Sequence, residues 1–106
     1  MATEKRCPIA LTIALVGNKW KLFILRELLG GKRRFGELRR GISGISQKVL
    51  TDNLRAMERD GLVTRTVFPE VPPRVEYELT PVGRALQSVM DQMEEWGQEY
   101  LKLDAS

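Results

Sequence analysis

Apolar residues recur at every third or fourth position through the first third of the chain, a spacing that predicts amphipathic helices. The series begins at Ile9, ends at Leu28 and is interrupted at Gly17-Asn18, so we expect two successive helices. Pro8 suits the first helical turn, because proline lacks the N–H group that would be unsatisfied there. The first third of the chain is therefore expected to be helical.

The segment from residue 45 to residue 62 predicts the most regular helix, after a short third helix at residues 35–42. We expect it to begin at Ser46, whose hydroxyl can accept from a backbone N–H two or three residues later, and to stop at Gly61. Its apolar residues fall on one face, the predicted core side: Leu50, Leu54 and Met57. The opposite face and its flank are polar: Gln47, Lys48, Thr51, Asp52, Arg55 and Arg59.

After Gly61 the pattern changes from helical to alternating. Residues 62–68 and 74–79 predict the two strands of a hairpin with a proline-bearing tip. Thr80-Pro81 pairs a capping hydroxyl with a proline, which predicts a last helix that runs nearly to the end. The predicted fold class is mainly α with a small β-hairpin wing, a winged helix-turn-helix in one domain over residues 1–106.

The charge is modest in total and uneven in distribution. The net charge is +3, but residues 31–65 hold nine Lys and Arg against four acidic residues. Residues 86–106 hold five acidic residues and one lysine. A basic middle and an acidic end favour a polyanion as the partner of the middle segment.

Composition also excludes several kinds of protein. The chain has no histidine and one cysteine, so it cannot build an internal disulfide or an ordinary zinc site, and we expect no metal and no cofactor. No glycine-rich phosphate loop or nucleophile with a partnered base is visible, which argues against an enzyme. Without an apolar run of about 20 residues or a secretory signal, we expect a cytoplasmic protein that binds no membrane.

A short helix, a tight turn and a second helix form the DNA-binding helix-turn-helix, whose second helix enters the major groove. Gln47 and Thr51 can hydrogen-bond base edges, Lys48 and Arg55 can reach guanine or phosphate, and Ser46 marks a helix start that favours phosphate. Asp52 would repel phosphate, so it either accepts from a cytosine amine or pairs with Lys48 or Arg55. The alternative for this whole face is ordinary solvated surface.

Basic residues before and after these helices extend the predicted DNA contacts. Arg33 and Arg34 lie where a chain that crosses a DNA backbone touches phosphates. Arg74 at the wing tip and Arg65 on the first wing strand are suited to minor-groove or backbone contact. Arg65 could equally pair with Glu76 or Glu78 across the hairpin.

The last helix carries an apolar stripe spaced 3, 4, 3, 4, 3, the a/d repeat of a helix that packs along another helix. The stripe predicts a homodimer through the terminal helices, because a small chain has little core left to cover it. Packing onto the first helix of the same chain is the alternative. The stripe consists of Leu86, Val89, Met93, Trp96, Tyr100 and Leu103.

Cys7 is the one candidate for chemical reactivity. It precedes a predicted helix and follows Lys5 and Arg6, and both the helix dipole and these cations would stabilise a thiolate. The alternative is a small buried apolar residue. Any disulfide must join two chains or capture a small thiol.

Several separated blocks of the chain together resemble the HxlR family of bacterial winged helix-turn-helix transcriptional regulators. These are Cys7-Pro8, GNKWKLFILRELL (17–29), RRFGELRR (33–40), GISQKVLTDNLRAMERDGLVTR (44–65), PEVPPRVEYELTPVGR (69–84) and Trp96.

The resemblance implies a dimeric regulator that binds double-stranded DNA, with the recognition helix at residues 46–60 and the wing around residues 69–74. A dimer would place its two recognition helices on half-sites of a pseudo-palindromic operator. In some members of the family a cysteine near the N-terminus senses electrophiles or oxidants, and Cys7 matches it by position. The alternative function is a winged-helix module for protein contact.

Overall fold

The computed structural model describes residues 7–105, which form six helices and a small sheet. In chain order the elements are α1 (Pro8–Val16), α2 (Lys19–Leu29), β1 (Arg33–Arg34), α3 (Phe35–Gly41), α4 (Gln47–Arg59), β2 (Val63–Phe68), β3 (Arg74–Leu79), α5 (Pro81–Arg84) and α6 (Gln87–Ala105). The hairpin of β2 and β3, with its tip at residues 69–73, is the wing.

Side-chain caps set the beginnings of the predicted helices. Asn18 Oδ1 accepts from the Lys21 N–H at 2.8 Å and starts α2. Ser46 Oγ accepts from the Val49 N–H at 3.1 Å and starts α4, as predicted. Gly61, at φ +78°, turns the chain out of α4 into β2, a conformation that glycine adopts without strain.

The wing belongs to a three-stranded antiparallel sheet in the order β1-β3-β2. The predicted hairpin is confirmed, and β1 was not predicted. It sets Arg33 opposite Tyr77 and Arg34 opposite Glu76. The sheet therefore joins the start of α3 to the wing, so the helix-turn-helix and the wing are held in one arrangement.

The predicted final helix is two helices, so the prediction of a continuous one was wrong. Thr80 Oγ1 accepts from the Gly83 N–H at 3.1 Å and donates to the Gly61 carbonyl at 2.7 Å, which fastens α5 to the end of α4. A Cβ on Gly83 would overlap the Leu62 carbonyl oxygen. Residues 85 and 86 form a turn between α5 and α6, where the Leu86 N–H donates to the Gly83 carbonyl at 3.1 Å.

The buried side chains form one apolar cluster between the helices and the sheet. Leu50, Leu54 and Met57 of α4 are at most 1% exposed, so the predicted core face of this helix is confirmed. The polar face is thereby turned outward. The architecture is a winged helix-turn-helix.

Within the described residues, no single helix is long and apolar enough to cross a membrane. The pair α1 and α2 reaches that length and composition only together, across an 83° bend.

Candidate nucleic-acid interface

Three of the predicted DNA-contacting side chains of α4 share one groove between this helix and the wing. Ser46, Gln47, Lys48 and Arg55 are exposed, and Thr51 is half-buried. We call this groove the α4–wing groove. It is lined by Phe35, Gln47, Thr51, Arg55, Glu58, Arg65 and Tyr77.

A second groove lies between the start of α4 and α3. It is lined by Phe35, Gly36, Arg39, Arg40 and Gln47. Arginines therefore lie in both grooves, and Gln47 lines both. Such a position suits a side chain that enters a DNA groove between two phosphate strands.

Asp52 has the first of its predicted partners. Lys48 Nζ lies 2.9 Å from Asp52 Oδ2, an i, i+4 pair on the exposed face of α4. Both side chains are exposed, so the pair contributes about 0.3–0.5 kcal/mol to helix stability. Arg55 is left outside this ion pair.

Arg74 is bound within the wing. Its Nε lies 2.9 Å from Glu70 Oε2, its Nη1 lies 2.7 Å from Glu76 Oε2, and its guanidinium carbon lies 3.8 Å from the centre of the Phe68 ring. The hydrogen bond to Glu70 is the largest cause that raises the pKa of Arg74. Because two carboxylates and a ring surround the guanidinium, Arg74 braces the wing tip, and its contact with DNA stays a prediction.

Arg65 lies on the opposite face of the wing from the acids predicted as its alternative partners. Its strand partner is Tyr77, whereas Glu76 and Glu78 lie opposite Thr66 and Thr64. Directly opposed residues of antiparallel strands project to the same face, and successive residues to opposite faces. The alternative pairing is therefore wrong, and Arg65 lies in the α4–wing groove.

Arg33 and Arg34 have different surroundings. Arg33 is half-buried, and its Nη1 donates to the Lys32 carbonyl at 2.8 Å, so its side chain folds over the turn before β1. Arg34 is exposed, and its backbone N–H donates to Glu37 Oε1 at 2.8 Å at the start of α3. Its side chain lines the surface that faces the wing tip. Arg34 is the more accessible of the two to a phosphate.

The apolar stripe of α6 is largely exposed. Trp96 and Tyr100 stack with ring centres 5.3 Å apart. Leu86 instead packs against the core of its own chain. The exposed members are Val89, Met93, Trp96, Tyr100 and Leu103, and α1 adds exposed Ile9 and Ile13.

Cys7 occupies the N-cap position of α1. Its Sγ accepts from the Ala10 N–H at 3.5 Å, and the thiol is exposed in the single chain, so the alternative of a buried apolar residue is wrong. Lys5 and Arg6, which entered the prediction of a stabilised thiolate, lie outside the described residues. Within the described part of the chain, no three acidic or cysteine side chains come close enough to hold a metal ion.

Comparisons with known proteins agree with this geometry. The family model described as HxlR-like helix-turn-helix matches residues 15–105. The chain is 46% identical over 94 residues to YdeP, an HTH-type transcriptional regulator of Bacillus subtilis, covering 89% of this chain and 73% of the relative.

Solved structures give the same result. A MarR-family transcriptional regulator from Enterococcus faecalis V583 has a TM-score of 0.82 at 48% identity, covering 99% of this chain and 96% of that one. The redox regulator HypR in its reduced form has a TM-score of 0.85 at 42% identity, covering 93% and 99%. The chain belongs to the HxlR-like helix-turn-helix family of transcriptional regulators.

Proposed function

We propose that this transcriptional regulator binds specific sequences of double-stranded DNA as a homodimer, with residues 1–106 acting as one domain. The observation that carries the proposal is the division of α4 into two faces. Leu54 and its apolar neighbours are buried, whereas Gln47 and Arg55 are exposed in a groove that also holds Arg65. A helix fixed to a domain by one face is free to enter the major groove with the other.

The roles of individual residues follow from their positions. Gln47 and Thr51 contact base edges, and Ser46 and Lys48 contact the DNA backbone at the start of α4. Arg33 and Arg34 contact phosphates beside the wing, Arg34 more directly because its side chain is exposed. Arg74 acts at the wing tip, where it is braced by Glu70 and Glu76.

The homodimer is formed by the terminal helices. Each chain brings the exposed apolar stripe of α6, and the exposed Ile9 and Ile13 of α1 extend the apolar surface of the terminal helices. Two winged helices related by twofold symmetry would bind two half-sites about one helical turn apart, which is why a pseudo-palindromic operator is expected.

Selection of bound duplexes from a random pool tests the proposal, followed by titration of the selected duplex at several salt concentrations. Gln47→Ala should relax the preference at one base-pair position by about 1–3 kcal/mol. Lys48→Ala should weaken binding to all duplexes alike. It should also lower the salt slope, the steepness with which log affinity falls as log salt concentration rises, by about 0.9 per subunit. Absent or salt-independent duplex binding by the unaltered protein would refute the proposed function.

We further propose that oxidation or alkylation of Cys7 regulates DNA binding. The exposed thiol at the start of α1 and the similarity to HypR, which is named a redox regulator, support this. With one cysteine per chain, an oxidant such as diamide would take two electrons and two protons from two thiols. The resulting S–S bond joins two Cys7 side chains or one Cys7 and a small thiol.

Diamide treatment should change the duplex affinity of the unaltered protein by about 5–150-fold, the usual range of coupling between two sites, and dithiothreitol should restore it. Cys7→Ser should bind with the affinity of the reduced protein in both conditions. Equal responses of the two proteins to diamide would exclude regulation through Cys7.

A further inference from the structure

The α4–wing groove has a cationic side chain on each side. Arg55 projects from α4 and Arg65 from β2, and both are exposed. Within residues 7–105, neither guanidinium belongs to an ion pair, unlike Lys48 and Arg74. Glu58 is the acidic residue among those that line the groove, so the two arginines leave it positive.

The groove is also fixed in shape. Tyr77, which lines it, is 8% exposed and pairs with Arg65 on one side and with Arg33 on the other, in the central strand of the sheet. Leu54 and Met57 hold α4 to the core beneath. The two arginines are therefore presented from rigid elements, without the need to order a loop on binding.

A duplex that accepts α4 in its major groove brings one particular part of the DNA to this groove. The wing follows α4 and approaches the adjacent minor groove, and a phosphodiester strand separates any two adjacent grooves of a duplex. That strand must cross between α4 and the wing. It is a line of single negative charges, which matches the positive groove.

We propose that Arg55 and Arg65 hold phosphates of this strand from opposite sides, an inference that rests on the proposed DNA binding. Of the two contacts expected for Arg65, with the minor groove or with the backbone, this assigns the backbone, and Arg55 contacts phosphate in place of a guanine edge. Gln47, at the far end of the groove and also beside Arg39 and Arg40, would then lie between the two phosphate strands that border the major groove.

Fluorescence anisotropy with two labelled duplexes tests the assignment, one of mixed sequence and one selected from a random pool, each titrated over a range of salt. Removing one phosphate contact makes the fall of log affinity with log salt shallower, by about 0.9 per subunit. Arg65→Ala and Arg65→Gln should show this loss on both duplexes, and the Arg55→Ala/Arg65→Ala pair about twice the loss. Arg65→Lys should keep the slope, because a phosphate accepts a point charge.

Arg84→Ala is the matched control, because it removes the same charge from the exposed end of α5, outside both grooves. Its slope should equal that of the unaltered protein. If the unaltered protein binds DNA in a salt-dependent way and Arg65→Ala has the same salt slope, this assignment is overturned and the proposed function is not. A loss confined to the selected duplex would also overturn it, since Arg65 would then contact a base. If the unaltered protein shows no salt-dependent binding to DNA, both the proposed function and this inference are overturned.

Discussion

Leu54→Ala is expected to lower the free energy of unfolding by about 2–5 kcal/mol, the usual cost of a leucine truncated in a packed core. Leu54 is 1% exposed and lies at the middle of the core face of α4, between Leu50 and Met57. Its loss leaves a cavity beneath the helix that carries the DNA-contacting residues. Urea denaturation followed by circular dichroism measures the change, and a fall in the midpoint at a constant slope identifies it as lost stability.

Arg55→Ala is the control for this experiment, because it changes the adjacent residue on the opposite, exposed face. Surface substitutions of this kind usually change stability by less than about 0.5 kcal/mol. Duplex affinity should fall more in Arg55→Ala than in folded Leu54→Ala, because Arg55→Ala removes a cation from the α4–wing groove. Similar losses of stability in Arg55→Ala and Leu54→Ala would contradict the division of α4 into a core face and a DNA face.

The helices were predictable because the signals that define them are local. Ser46 and Asn18 cap helices through backbone groups three residues away, and the apolar spacing of α4 places Leu54 inward without knowledge of any partner element. The same local logic gave two possible partners for Asp52 along the helix, and the structure selects Lys48. The hairpin was predictable for the same reason, since its strands alternate and its tip contains prolines.

Features that depend on contacts between distant segments were not predictable in the same way. A two-residue strand such as β1 has no period to detect, and only its pairing with β3 identifies it. The close approach of Gly83 in α5 to the Leu62 carbonyl oxygen also joins segments that are distant in sequence, and no local pattern reveals it. The position of Arg65 follows from strand register, because a shift of one residue would have turned it toward Glu76 and Glu78.

The ion-pair partners of Arg74 were not predictable for a different reason. Glu70 and Glu76, its partners, lie within four residues of it, but a proline-bearing tip does not reveal from spacing alone which charges meet. The sequence therefore predicted contact with DNA for this arginine, and the structure shows it bound by two carboxylates. Among the described residues, the two arginines of the α4–wing groove, Arg55 and Arg65, belong to no ion pair and are better suited to an external anion.

Met93→Ala combined with Trp96→Ala is expected to raise the dimer dissociation constant by about 30-fold or more, since truncation of central apolar side chains costs about 2 kcal/mol or more. Trp96 is 68% exposed and Met93 48% exposed in the single chain, although both belong to a regular apolar stripe. Sedimentation equilibrium measures the monomer fraction. Val82→Ala, which shortens an exposed apolar residue of α5 outside the stripe, should leave the dissociation constant unchanged.

The same double variant separates dimer formation from DNA contact. Both side chains are exposed on α6, outside the two grooves that flank Gln47, so each chain should keep its fold and its phosphate contacts. Binding to a duplex with two half-sites should weaken because two chains must assemble, while the salt slope per bound chain should stay the same. A dissociation constant equal to that of the unaltered protein would exclude the α6 stripe as the dimer interface. A fall in the slope per chain would instead mean that α6 itself lies against the DNA.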